Sequence, residues 1–310
     1  MRSAFINRIT SEVSNNNDIF IISGDAGLGV FDDFKNNMPD NFINLGIAEQ
    51  NATGFAAGMA IAGFKVYVYN IIPFLLYRPY EQVRNDICYQ NLPVTLVGIG
   101  SGVTYAPQGM THYSIEDIAI ARTLPNLTVI SPSDPIEAEL AAEYSLTSKN
   151  PVYVRLAKRG EPNIHIDKNI NITEPILIKD GEDVCIIFHG TIGTEVMDAR
   201  KELLKDGINV KVISIPMLNP INNDALIKII GNSIKHIVSI EEHYKVGGLG
   251  SILLEIFASN KINDYELTTL GITHRFIHEV KDQNGMRKLF GLSKNSIVTV
   301  VRNILGHKIL

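Results

Sequence analysis

An α/β fold of two domains, each a mainly parallel sheet flanked by helices, follows from three features of this chain. Short apolar, β-rich runs alternate with helical patterns along nearly its whole length. The alternation lapses once, between Gly160 and about Asp183. The chain has 310 residues, 45% of them hydrophobic and 20% charged, enough to bury two cores. Alternation of this kind builds right-handed βαβ units and a parallel sheet covered on both faces.

In the first domain (1–160) the expected strands are 18–23, 65–70, 94–100, 127–130 and 152–156, with helices over 46–62, 79–90, 114–123 and 135–148. Residues 161–182 are rich in Asn, Pro and Asp, as suits an interdomain crossover. The second domain (183–310) resumes with "VCIIFHG", a helix over 193–206, "INVKVISI", a helix over 221–230, "HIVSIEE" and a helix over 248–259.

Net charge is −5, which argues against a non-specific binder of nucleic acid or acidic membranes. Cys88 and Cys185 stand alone in apolar surroundings, outside any metal-ligand or disulfide spacing, so buried reduced thiols are expected. With no apolar signal core and no run near the roughly 20 residues of a membrane span, a cytoplasmic location is the default expectation.

Ligands of parallel sheets collect beyond the carboxyl ends of strands. Three segments there are unusual: "GDAGLG" (24–29), "GSGVTYAPQGMTH" (100–112) and "EEHYKVGGLGS" (241–251). The glycines of the first do not have dinucleotide or P-loop spacing, so a tight turn is as good a reading as a phosphate site. Asp25 is its interesting residue. In "GIAEQNATGFAAGMAIAG", Gly54 and Gly58 permit a close helix approach, plausible at a subunit contact. Glu49 lies in the first turn of that helix, where the macrodipole favours a carboxylate. Such a charge among small apolar residues is costly unless it is paired, protonated or used. Phe74 and Tyr77 lie where a ring could stack on a ligand or simply join the core. His112 precedes a helix that Ser114 is placed to cap, and it suits either loop structure or proton transfer.

Taken in order, "NLGIAEQNATGFAAGMAIAGFKVYVYN", "FLLYRPYEQVRND" and "THYSIEDIAIARTLPNLTVISPSD" resemble the pyrimidine-binding domain of thiamine diphosphate enzymes. "IPMLNPIN" and "EEHYKVGGLGS" look like the transketolase C-terminal domain. Over essentially the whole chain the resemblance is to the C-terminal subunit of split, two-chain transketolases. It implies transfer of a two-carbon ketol unit between a ketose and an aldose, both phosphorylated sugars.

The same resemblance implies that Glu49 hydrogen-bonds a ring nitrogen of the cofactor's aminopyrimidine and moves a proton there. Such a carboxyl needs raised proton affinity, which desolvation among Ile47, Ala48 and Ala52 is expected to provide. Phe74, with Tyr77 as the competing choice, stacks on the pyrimidine. His112 meets the donor ketose, and Asp25 lies near the thiazolium side. Arg155, Lys158 and Arg159 fall where the family places basic residues for a sugar phosphate. Gln108 and Met110 occupy a loop that usually carries an acidic residue, a departure bearing on donor-hydroxyl recognition.

The G-D-G segment with a following Asn, through which the family binds diphosphate and Mg²⁺, has no counterpart in this chain. The resemblance therefore implies a separate partner subunit carrying the diphosphate and the metal, in a two-plus-two heterotetramer. A 1-deoxyxylulose-5-phosphate synthase-like activity, a 2-oxo acid dehydrogenase β subunit and a non-catalytic regulatory subunit are the alternatives. The G-G-L-G-S segment favours transketolase over the first two, and Glu49 with His112 speaks against the third.

Overall fold

A computed structural model describes residues 1–27, 29–158 and 160–306, Asp33 by its backbone only. Among the described residues, twelve strands form two sheets. They are β1 (Ile19–Ser23), β2 (Phe42–Asn44), β3 (Lys65–Ile71), β4 (Val94–Ile99), β5 (Thr128–Ile130), β6 (Val152–Leu156), β7 (Ile176–Lys179), β8 (Val184–Phe188), β9 (Val210–Ser214), β10 (Met217–Asn219), β11 (His236–Tyr244) and β12 (Glu266–Ile272). The first sheet has the order β10-β5-β6-β4-β3-β1-β2 and the second β12-β11-β8-β9-β7. Each is parallel except for one edge strand: β10 against β5 and β7 against β9.

The expected strands and helices are present to within a few residues. Four strands went unanticipated: β2, β7, β10 and β12. Of these, β10 follows three strands of the second sheet in sequence, yet it closes the edge of the first. The two sheets are thus knit together by the main chain as well as by packing.

Strands β4 and β6 are buried at every residue, as strands covered on both faces must be. Alternate residues feed separate cores. Ile21, Tyr67, Val97 and Val154 pack with the helices Arg2–Val13 and Pro135–Thr147. Ile22, Val68, Leu96 and Tyr153 belong to a core that continues into the second sheet through Cys185, Ile187 and Ile213. Both cysteines are buried free thiols, pushed up to about 12 by that burial.

Local chemistry sets the helix starts. Pro135 opens its helix, and the Asp134 side chain caps it by accepting from the Glu137 N–H at 2.8 Å. The other Asp134 oxygen accepts from the amides of Ile164 and His165 at 2.8 and 2.9 Å, tying down the crossover. The helix after His112 spans Asp117–Ala121, and Ser114 does not cap it: Glu116 takes that position, while Ser114 pairs through its backbone with Gly102.

Glu241 caps a helix from the preceding strand, its carboxyl accepting from the amides of Leu249 and Gly250 at 2.7 and 3.0 Å. Burial pushes this carboxyl from 4.5 up to about 8, against the pull of those two hydrogen bonds. The raised affinity stabilises the fold fully below the unfolded value, and the contribution is lost as pH rises through about 8. In urea titrations, the wild-type chain should therefore lose roughly 2 kcal/mol relative to Glu241→Gln between about pH 6.5 and 8.5. A difference that stays flat or rises over that interval would contradict this assignment.

Candidate active site

A cavity of about 390 Å³ lies beyond the carboxyl ends of β1, β3 and β4. The chain runs from β1 to β2 on one side and returns to β3 on the other, so a crevice opens at this switch point. Gly24 and Asp25 come from the turn after β1, Tyr69 to Ile71 from the end of β3, and Ile99 from the end of β4. Close approach explains Gly24, because a Cβ there would lie 2.6 Å from the Asn70 side-chain nitrogen. Asp25 has a φ of 56°, and its amide donates to the Asn44 side-chain oxygen at 3.3 Å.

Glu49 is the first residue of the helix Glu49–Ile61 and is 9% exposed. The expected apolar jacket is only half present: Ala52 is buried, but Ile47 is 76% exposed. Instead the carboxylate is paired, with Arg78 Nη1 donating at 3.0 Å. The Arg78 guanidinium also lies 4.2 Å from the centre of the Phe74 ring.

Both residues lie on the helical segment 73–88, whose first turns, Pro73–Tyr77, are wound as a π-helix. The wider turn, closed by the Arg78 amide on the Pro73 carbonyl, aligns side chains four apart. Phe74 and Arg78 therefore stack. Glu49, Phe74 and Arg78 line one wall of the cavity.

The His112 ring meets Phe74 edge-on at 5.3 Å and Tyr105, another lining residue, at 6.1 Å. Burial holds the His112 imidazole below its ordinary value. Lys158 stands at the rim, its ammonium 5.2 Å from the Tyr105 ring.

Not all of the expected residues meet here. Tyr77 is turned away, its hydroxyl donating to Glu116 at 3.1 Å, and is not among the lining residues. Gln108 is exposed in the turn Ala106–Gln108 and does not line the cavity either. Arg155 is 1% exposed and paired with Asp117 at 2.7 Å, so it presents no free face to a phosphate. Arg159 lies outside the described residues. In the glycine-rich 241–251 segment, Glu241, Glu242 and His243 are buried in the seam between the sheets, away from the cavity's lining.

Arg2 and Arg78 were missed. Arg2 reaches the cavity from the first helix, with its buried Nε lacking a partner among the described residues. Nothing local in the sequence marks it. Arg78 carried a signal, a cation within an aromatic run directly after a strand.

Residues 1–162 match the family model for the transketolase pyrimidine binding domain, and residues 175–297 that for the transketolase C-terminal domain. The chain belongs to the transketolase family. Among this family's proteins, it is 32% identical to one of the subunits of the apulose-4-phosphate transketolase of Actinobacillus succinogenes, over 98% of both chains. It is 33% identical to a putative transketolase C-terminal section of Methanocaldococcus jannaschii over 85% of this chain and 83% of that one. The solved structure of a split-gene transketolase, an inactive β4 tetramer, superposes with a TM-score of 0.88 at 28% identity over 99% of both chains.

Within this transketolase-family chain, the Glu49–Arg78 pair is accessible on one side, Arg78 being 48% exposed. A double-mutant cycle of Glu49→Gln and Arg78→Met should give a coupling of about 1 kcal/mol in denaturant. Strict additivity would show that the pair adds nothing to stability.

Proposed function

We propose that this chain is the C-terminal subunit of a split, thiamine diphosphate-dependent transketolase, active only with a partner that holds the diphosphate and its Mg²⁺. The observation that carries the proposal is Glu49, a buried carboxylate beside the Phe74 ring at the sheet's switch point. The seat between these two side chains fits an aminopyrimidine. A planar guanidinium already meets the carboxylate at 3.0 Å and the ring at 4.2 Å there. A flat heterocycle would offer the same combination, nitrogen toward Glu49 and π-face toward Phe74.

When bound, thiamine diphosphate supplies the carbanion chemistry that breaks a carbon–carbon bond beside a carbonyl. Glu49 holds and moves the proton on the pyrimidine nitrogen it faces, a short transfer by a positioned carboxyl. Phe74 fixes the plane of the ring, and Asp25 closes the side beyond β1. His112, whose burial lowers its proton affinity, accepts from the donor's hydroxyl or donates to its carbonyl oxygen. Arg2 and Lys158 offer positive charge to the sugar's phosphate, taking the part that Arg155 was expected to share.

The donor and acceptor are a ketose phosphate and an aldose phosphate. The name of the Actinobacillus relative makes apulose 4-phosphate the first donor to try. Self-association would use the helix Glu49–Ile61, where Phe55 and Ile61 are 42% and 71% exposed and a Cβ at Gly58 would meet nothing. A second reading, 1-deoxyxylulose-5-phosphate synthase-like chemistry, has support in the Halothermothrix orenii synthase, 31% identical over 89% of this chain and 43% of its own length.

Glu49→Gln keeps the side chain's shape and removes its proton-accepting oxygen. It should lower ketol transfer about 100- to 10,000-fold while the complex with its partner assembles normally in sedimentation. Turnover near the wild-type rate would refute the assigned role, and pyruvate as the preferred donor would select the second reading.

A further inference from the structure

The loop carrying His112 has little structure of its own. Between β4 and the helix Asp117–Ala121 it makes two short turns, Ala106–Gln108 and Met110–His112, and one isolated bridge, Gly102 to Ser114. The imidazole's hydrogen bond is to the neighbouring Thr111 hydroxyl, at 3.0 Å. What fixes the loop comes from elsewhere. Arg155 donates at once to Asp117 Oδ2 at 2.7 Å, to the Ser114 carbonyl at 2.7 Å and to the Glu242 carbonyl at 3.0 Å. The Tyr244 amide donates to the Ile115 carbonyl at 2.9 Å, and the Ala119 amide to His243 Nε2 at 3.4 Å. The Tyr113 hydroxyl reaches the Ala106 and Glu279 carbonyls at 3.0 and 3.3 Å.

Besides the Tyr77 and Tyr153 hydroxyls, which hold Glu116 and Asp117 at 3.1 and 2.7 Å from the first domain, the anchors on the residues following His112 thus run through Arg155 and through the second sheet's side of the seam. Glu242 is itself held, its carboxylate accepting from Arg287 Nε at 2.5 Å and from the Thr191 hydroxyl at 3.0 Å. Gly102 sits against it with a φ of +60°, where a Cβ would lie 2.6 Å from the Glu242 Cβ. We propose that Arg155 and Glu242 are positioning residues, through which the C-terminal domain holds His112 at the cavity for donor binding. A fork is required, because the guanidinium donates from two separate nitrogens of a rigid plane, Nε and Nη2, whereas an ammonium's three donors share one nitrogen. The inference rests on the reading of His112 as a donor contact.

Two substitutions test it. Arg155→Lys keeps a cation beside Asp117 and loses the fork, whereas Gly102→Ala leaves Arg155 alone and drives a methyl group into Glu242. In the assembled enzyme each should raise the donor KM about tenfold, with thiamine diphosphate affinity within about twofold of wild type. In the full chain alone, the His112 ring resonance, assigned with His112→Asn, should move in the same variants. If Arg155→Lys does not fold, Gly102→Ala decides. Donor KM and ring resonance both at wild-type values would overturn the proposal, as would equal losses of donor and cofactor affinity. A resonance that moves while donor KM stays put would uphold the clamp and remove the donor from His112.

Discussion

A guanidinium taken out of water must have its donors met, and Arg155 meets this requirement by joining three parts of the chain. Its strand belongs to the first sheet, its ion-pair partner Asp117 opens the helix after the histidine loop, and its third acceptor is the Glu242 carbonyl of the second sheet. Removing one partner of such a pair leaves an uncompensated buried charge, so the arrangement specifies one geometry for the whole seam. The return of β10 to the first sheet acts in the same direction, through the backbone. On the proposed reading, the second domain is therefore part of the frame that holds His112 beside the cavity.

The near wall depends on a different device. Parallel strands leave a crevice where their order reverses, and the helix that follows β2 brings Glu49 to its mouth. A carboxylate there is tolerable because Arg78 pairs with it, and the π-wound turn places Arg78 over Phe74. On the proposed reading, the cofactor's pyrimidine replaces or shares these contacts. The carboxylate's pairing then keeps the site ordered before anything binds.

Much of this was legible in the sequence. Parallel strands buried on both faces read as continuous apolar runs, so β1, β3, β4, β6, β8 and β9 stood out. Strands β2 and β10 have three residues each, too few for a period, and join a sheet for reasons set by distant residues. Glu49, Phe74 and Asp25 line one cavity, with His112 edge-on to Phe74 behind it, because each follows a strand or opens a helix near the sheet's carboxyl edge. Arg155 was misjudged because it was grouped with Lys158 and Arg159 as a cationic patch. Its place within "VYVRL", a strand buried on both faces, was the better signal. Arg2 acts across a long stretch of chain, and no local pattern announces such a contact.

The most direct measurement is ketol transfer from a ketose phosphate to an aldose phosphate, with thiamine diphosphate and Mg²⁺, by this chain with and without a separately produced diphosphate-binding subunit. The proposed half-site predicts turnover only when both chains are present. Equal turnover by this chain alone would contradict it.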